Sequence, residues 1–156
     1  MKRYGWIAAA VVVVDQLVKL LARQLTGQVV LVPGVLALRY AENTGMAFSL
    51  FSGQPWLLGV ISLVLVAAGC LTIRRFRLSR WSSAAVMLML GGAVGNMIDR
   101  LFQGYVVDMF EVLLFEFAVF NVADAALTVG CAMTALALLL RKDDWREKKH
   151  GDTDEV

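Results

Sequence analysis

Four apolar stretches decide what this chain can fold into. They run roughly from Gly5 to Ala22, Trp56 to Ile73, Ser83 to Leu101 and Val122 to Leu140. Each is close to the ~20 residues that a helix needs to cross the hydrocarbon core of a bilayer. A soluble core built from 156 residues could not hide that much contiguous apolar surface. Composition agrees, with 59% hydrophobic and 18% charged residues where soluble domains carry roughly 45–50% and about 25%. The expected fold is an all-α membrane bundle of four transmembrane helices (spans 5–22, 56–73, 83–101 and 122–140), forming one integral membrane domain over 1–156. Lys2-Arg3 ahead of the first stretch looks like the start of a secretory signal peptide. No small-x-small cleavage site follows it and three more spans do, so the segment reads as a retained helix.

Basic residues outside the spans give the direction of threading. One side collects Lys2, Arg3, Arg74, Arg75, Arg77, Arg80, Arg141, Lys142, Arg146, Lys148 and Lys149, which is eleven; the other has Arg23, Arg39 and Arg100. Both termini, the short Arg-rich connection and the tail 141–156 are therefore expected in the cytoplasm. The connections 23–55 and 102–121 are expected outside. Within the first of these, short Val- and Leu-rich runs are punctuated by Pro33-Gly34, Asn43-Thr44-Gly45 and Ser52-Gly53. That pattern predicts two or three short strands forming a small sheet. The second, YVVDMFEVLLFEFAVF, interleaves acids with large apolar residues and fits either a strand or an amphipathic interfacial segment.

Polar residues inside the spans carry the functional signal, because ionisable groups there are costly and mark sites by default. Asp15, Gln16 and Lys19 lie in the first span, with Asp15 and Lys19 at the i, i+4 spacing of an ion pair. The third span ends GGAVGNMIDR, where Gly92, Asn96 and Asp99 share a helix face and Arg100 follows. Asp108 stands in YVVDMF, between spans. FNVADAAL opens the fourth span and puts Asn121, Asp124 and Thr128 on one face. A bland reading makes these groups polar glue between helices, with Gly91, Gly92 and Gly95 allowing close approach.

Neighbouring carboxylates in a low-dielectric place also have a definite chemistry. They share a proton, so one can take a proton from water while the other hydrogen-bonds a scissile carbonyl. Other chemistries find little support. His150, the only histidine, sits in the charged tail, which argues against a Ser-His-Asp triad or a histidine zinc site. Cys70 and Cys131 have no metal-ligand or disulfide spacing. A Ser-Lys dyad of Lys19 with Ser49 or Ser52 would need a neutral lysine, and Asp15 keeps Lys19 protonated. No metal and no cofactor is expected, and a net charge of +2 gives no reason to expect nucleic acid.

Five blocks resemble lipoprotein signal peptidase (signal peptidase II), a bacterial inner-membrane aspartic endopeptidase family. They read DQLVK at 15–19, ENTGMAFS at 42–49, GNMIDR at 95–100, VVDMF at 106–110 and FNVADAAL at 120–127. The resemblance implies cleavage of diacylglyceryl-modified prolipoproteins on the N-terminal side of the lipidated cysteine. It implies Asp108 and Asp124 as the catalytic pair, and Asn43, Asn96, Arg100 and Asn121 as the substrate pocket. Asp99 organises the site, and Asp15, Gln16, Lys19, Gly45, Gly95 and Ala123 are supporting positions. It further implies inhibition by the cyclic peptide globomycin; contact with membrane lipid, a site near the outer leaflet, where these carboxylates and asparagines converge, and a monomer are expected beside it. Met46 and Ala125 depart from residues common in the family without removing a group the mechanism needs. The rival readings are a small four-span proton-coupled transporter, working through Asp15 or Asp99, and a structural assembly factor.

Overall fold

The computed structural model describes residues 2–45, 54–140 and 145–147. The readings placed on Met46, Ser49, Ser52 and His150 lie outside them, as does the tail apart from 145–147. A short 3-10 turn leads into α1 (Gly5–Ala22). There follow β1 (Val29–Val32), β2 (Leu36–Asn43), α2 (Pro55–Ile73), β3 (Phe76–Leu78), α3 (Arg80–Phe102), β4 (Val106–Val112), α4 (Val122–Leu140) and β5 (Trp145–Glu147). All four helices are long and apolar enough to cross a membrane.

Local chemistry sets most of the boundaries. Pro55 occupies the first turn of α2, where its missing N–H leaves nothing unsatisfied. Ser79 is extended and caps α3 by accepting the Ser82 N–H at 3.2 Å, so this helix begins at Arg80 and not at Ser83. At its other end Gly104, at φ 79°, reverses the chain into β4 as a left-handed residue beyond the helix cap. Pro33-Gly34 turns β1 into β2. The Val35 N–H bonds the Val32 carbonyl at 3.0 Å and Gly34 takes φ 70°, the Pro-Gly signature of a type II turn.

α3 is the centre of the bundle: half of its apolar window is buried, against 11–22% for the other three helices. α1, α2 and α4 all pack on it. Lipid tails are as apolar as leucine, so helices in lipid are held by close packing of small residues and by polar contacts. Gly92 and Gly95 supply the close approach here. A Cβ on Gly92 would collide with the Ala123 carbonyl and Leu127 of α4. One on Gly95 would stand 2.7 Å from Asp15 Oδ2 and 3.3 Å from the Ala123 methyl.

The strands resolve both connections. β1, β2 and β4 form an antiparallel sheet in the order β1-β2-β4, with Ala41 opposite Asp108 and Asn43 opposite Val106. The sheet rests on the end of α1 through Ala22, Val107 and Met109, with Val18, Leu25, Leu38, Tyr40, Tyr105 and Phe110 around them. The segment 102–121, open between two conformations from sequence, is therefore a strand over Val106–Val112. An irregular stretch follows it that exposes Leu114, Phe115 and Phe117. At the opposite end of the bundle β3 pairs antiparallel with β5, a ribbon without a sequence signal.

Replacing Gly92 with valine should destabilise the protein by about 1–3 kcal/mol through overpacking. Gly69 has nothing within 4 Å of an added Cβ, so Gly69→Ala should leave stability unchanged or slightly raised. Thermal unfolding of both variants in the same detergent checks the contrast.

Candidate functional site

At the sheet end of the bundle, polar side chains from α1, α3, α4, β2 and β4 meet in one network. α1 contributes Asp15, Gln16 and Lys19. Asp15 and Lys19 are 0% and 2% exposed, and Asp99 of α3 is 0% exposed, so none of the three can rely on water. Lys19 Nζ sits 2.7 Å from Asp15 Oδ2, 2.9 Å from Asp99 Oδ2 and 3.0 Å from Asn96 Oδ1. The i, i+4 pair expected from spacing is present. Asp99, distant in sequence, is a second anion on the same cation.

Both carboxylates then reach other elements. Asp15 Oδ1 accepts the Ala123 N–H at 2.9 Å, taking up a donor in the first turn of α4. Asp99 Oδ2 accepts the Val107 N–H of β4 at 3.3 Å, and Asp99 Oδ1 accepts from Gln16 Nε2 at 2.9 Å. Gln103, which the sequence reading did not single out, donates to Asp99 Oδ1 at 3.4 Å and accepts from Arg23. Its only signal was a polar residue one helical turn beyond Asp99.

α4 starts with a reciprocal cap. Asn121 Oδ1 accepts the Asp124 N–H at 2.8 Å, while Asp124 Oδ2 accepts the Asn121 N–H at 3.2 Å. This is the capping-box arrangement with Asn at the cap and Asp three residues on. The cap fixes the Asn121 amide with its oxygen toward the helix. Its NH2 therefore points away, donating to Asp108 Oδ1 at 2.7 Å and to Asn96 Oδ1 at 3.1 Å. Asn96 Nδ2 in turn donates to Asp124 Oδ1 at 2.7 Å. One asparagine thus touches both Asp108 and Asp124.

β4 delivers Asp108, and its antiparallel pairing with β2 delivers Asn43, whose Nδ2 donates to Asp108 Oδ2 at 3.0 Å. Asn43 Oδ1 also accepts the Gly45 N–H at 3.0 Å, tying down the chain that leaves β2. Arg100 Nη2 donates to the Gly45 carbonyl at 3.3 Å. The buried Nε of Arg100 has no hydrogen-bond partner among the described residues. Asp108 is 2% exposed, while Asp124, Asn43 and Arg100 are half-buried.

The expected site residues Asp15, Gln16, Lys19, Asn43, Gly45, Gly95, Asn96, Asp99, Arg100, Asp108, Asn121, Ala123 and Asp124 all fall in or beside this network. Burial pushes the Asp108 carboxyl up to about 6. The Asn43 bond opposes this, the neighbouring Asp124 carboxylate adds to it, and the Asn121 bond and the Lys19 charge oppose it. Among the described residues no cluster of His, Cys, Asp and Glu could hold a metal ion.

Asp108 therefore opposes folding at neutral pH. An unfolded aspartate releases its proton near 3.9, so between that pH and about 6 the folded chain binds more protons and stability falls as pH rises. The penalty reaches about 3 kcal/mol above pH 6. Asp108→Asn loses one accepted bond at every pH but removes that titration. The Tm of the native protein should therefore fall relative to that of Asp108→Asn on going from pH 5 to pH 8. A constant difference across that range would contradict the assignment.

Comparison with known proteins adds an independent line. A family model described as Signal peptidase (SPase) II matches residues 7–140. A lipoprotein signal peptidase of Geobacillus kaustophilus is 44% identical over 133 residues, covering 81% of this chain and 86% of the relative. One from Streptococcus pyogenes serotype M2 is 35% identical over 122 residues, covering 78% and 76%. Two solved structures, each a bacterial membrane enzyme determined by the in meso method, share the fold. The one at 2.3 Å resolution gives a TM-score of 0.84 at 27% identity, over 96% of this chain and 95% of the other. The one at 1.9 Å resolution gives 0.81 at 28% identity, over 90% and 95%.

Proposed function

The chain belongs to the signal peptidase II family, a multi-pass bacterial membrane protease, and from that premise we propose that it removes the signal peptide from diacylglyceryl-modified prolipoproteins. The bond cut lies on the N-terminal side of the lipidated cysteine, and Asp108 and Asp124 form the catalytic pair. The observation that carries this reading is the Asn121 side chain and cap, which hold two carboxylates from different elements in one network, Asp108 buried and Asp124 half-buried.

The chemistry follows from one proton shared by the pair. Burial favours the protonated form of Asp108, and covering the site with an apolar lipopeptide favours a shared proton further by excluding water. The ionised carboxylate takes a proton from a water molecule, whose oxygen attacks the scissile carbonyl. The protonated partner hydrogen-bonds the carbonyl oxygen as negative charge develops there. Proton return to the amide nitrogen then releases the new N-terminus. Asn43, Asn96 and Asn121 orient the two carboxylates. Arg100, whose Nε has no partner among the described residues, lines the substrate pocket beside the Gly45 carbonyl.

Placement supports the same reading. With both termini and the Arg-rich connection in the cytoplasm, the sheet end of the bundle faces outward, across the bacterial inner membrane. A diacylglyceryl group keeps its acyl chains in lipid and holds the scissile bond at the depth of the aspartate pair. The whole chain acts as one membrane domain and as a monomer, and globomycin is its expected inhibitor.

Cleavage of a diacylglyceryl-modified proprotein in detergent or liposomes tests the proposal. Asp108→Asn and Asp124→Asn, each verified as folded, should lower the rate by about 10²–10⁴-fold, and globomycin should block the parent. An active Asp108→Asn variant would sink the assignment of the pair.

A further inference from the structure

The three hydrogens of the Lys19 ammonium have three partners, and they divide unequally. Two go to Asp15 and Asp99 and stay within the ion-pair cluster. The third leaves the cluster and meets Asn96 Oδ1 at 3.0 Å. An ammonium can only donate, so Asn96 must turn its carbonyl toward Lys19. Its NH2 is then left for Asp124 Oδ1, 2.7 Å away. A flipped Asn96 would set oxygen against oxygen at that distance. The other donor to Asn96 Oδ1, the Asn121 NH2, is also committed to Asp108.

Resting on the function proposed above, we infer that Lys19 is a positioning residue of the aspartate pair, acting through Asn96 to give Asp124 a donor. Asp15 and Asp99 are what allow a cation in that buried place. They clamp the ammonium from α1 and α3, and their remaining bonds to Ala123 and Val107 hold α4 and β4 against it. The charged groups around the pair are then Asp15 and Lys19 from α1, Asp99 and Arg100 from α3, Asp124 from α4 and Asp108 itself from β4. The charges of Lys19 and Arg100 both favour the ionised form of Asp108.

Lys19→Met alone would leave Asp15 and Asp99 facing each other, so the test is run in an Asp15→Asn background. Folding of every variant is checked by its Tm in detergent. Relative to Asp15→Asn, the double variant Asp15→Asn/Lys19→Met should show a kcat lower by about tenfold on a diacylglyceryl-modified peptide, with KM within about twofold. Adding Asn96→Ala to either background should give a similar kcat, because Lys19 and Asn96 act as one unit. The Asp108 carboxyl, followed by carbon NMR of labelled aspartate, should titrate at higher pH once the lysine charge is gone. Should the double variant not fold, Asp99→Asn serves as the background in the same way.

Equal kcat in the two folded proteins, multiplicative effects of Lys19→Met and Asn96→Ala, or an unmoved Asp108 titration would each reduce Lys19 to a structural ion pair and overturn the inference. Absence of cleavage by the unsubstituted protein would instead count against the proposed function. The Asp108 titration would still show whether the Lys19 charge reaches the pair.

Discussion

A lysine ammonium buried between two carboxylates is the interaction to which the other elements are attached. Lys19 and Asp15 come from α1, and Asp99 comes from α3. Asp15 extends the contact to the first turn of α4 and Asp99 extends it to β4. Desolvating three charges is expensive. An unpaired member would cost several kcal/mol, which makes the triad self-enforcing once it has formed. In lipid, where leucine against leucine gives little preference for one packing over another, such a cluster selects one arrangement of helices. Gly92 and Gly95 are the steric condition for it, since any side chain at either would push α4 or Asp15 away.

The same network holds groups whose presence works against stability. Asp108 is a buried carboxyl, and its burial favours the protonated form. Arg100 has a buried Nε with no partner among the described residues. Groups that penalise the empty fold are what a site needs if it is to transfer a proton and grip a substrate. Asn121 reconciles the two demands. One amide caps α4, a purely structural task, and its unused NH2 holds Asp108 in register with Asp124.

Two architectures therefore cooperate at one end of the molecule. The helical bundle supplies Asp124, Asn96 and Arg100 on rigid frames. The sheet supplies Asp108 and Asn43 through a strand pairing that fixes their relative height. Neither element could assemble the constellation alone, because the sheet's small core rests on the end of α1.

Much of this was legible in the chain itself. The four spans rest on contiguous apolar runs suited to lipid, and the turn at Pro33-Gly34, the Asp15–Lys19 pair and the shared face of Asn121 and Asp124 rest on interactions between near neighbours in the chain. Local sequence encodes such interactions directly. Segment 102–121 could not be resolved between strand and interfacial segment, because β4 exists only through its pairing with β2. That pairing joins residues more than sixty positions apart and leaves no periodic trace of its own. The β3–β5 ribbon went unseen for the same reason. The second anion on Lys19 and the bridge from Asn121 to Asp108 were likewise decided only in three dimensions. A residue type announces that it needs a partner, while the partner it finds depends on how closely helices approach and which strands align.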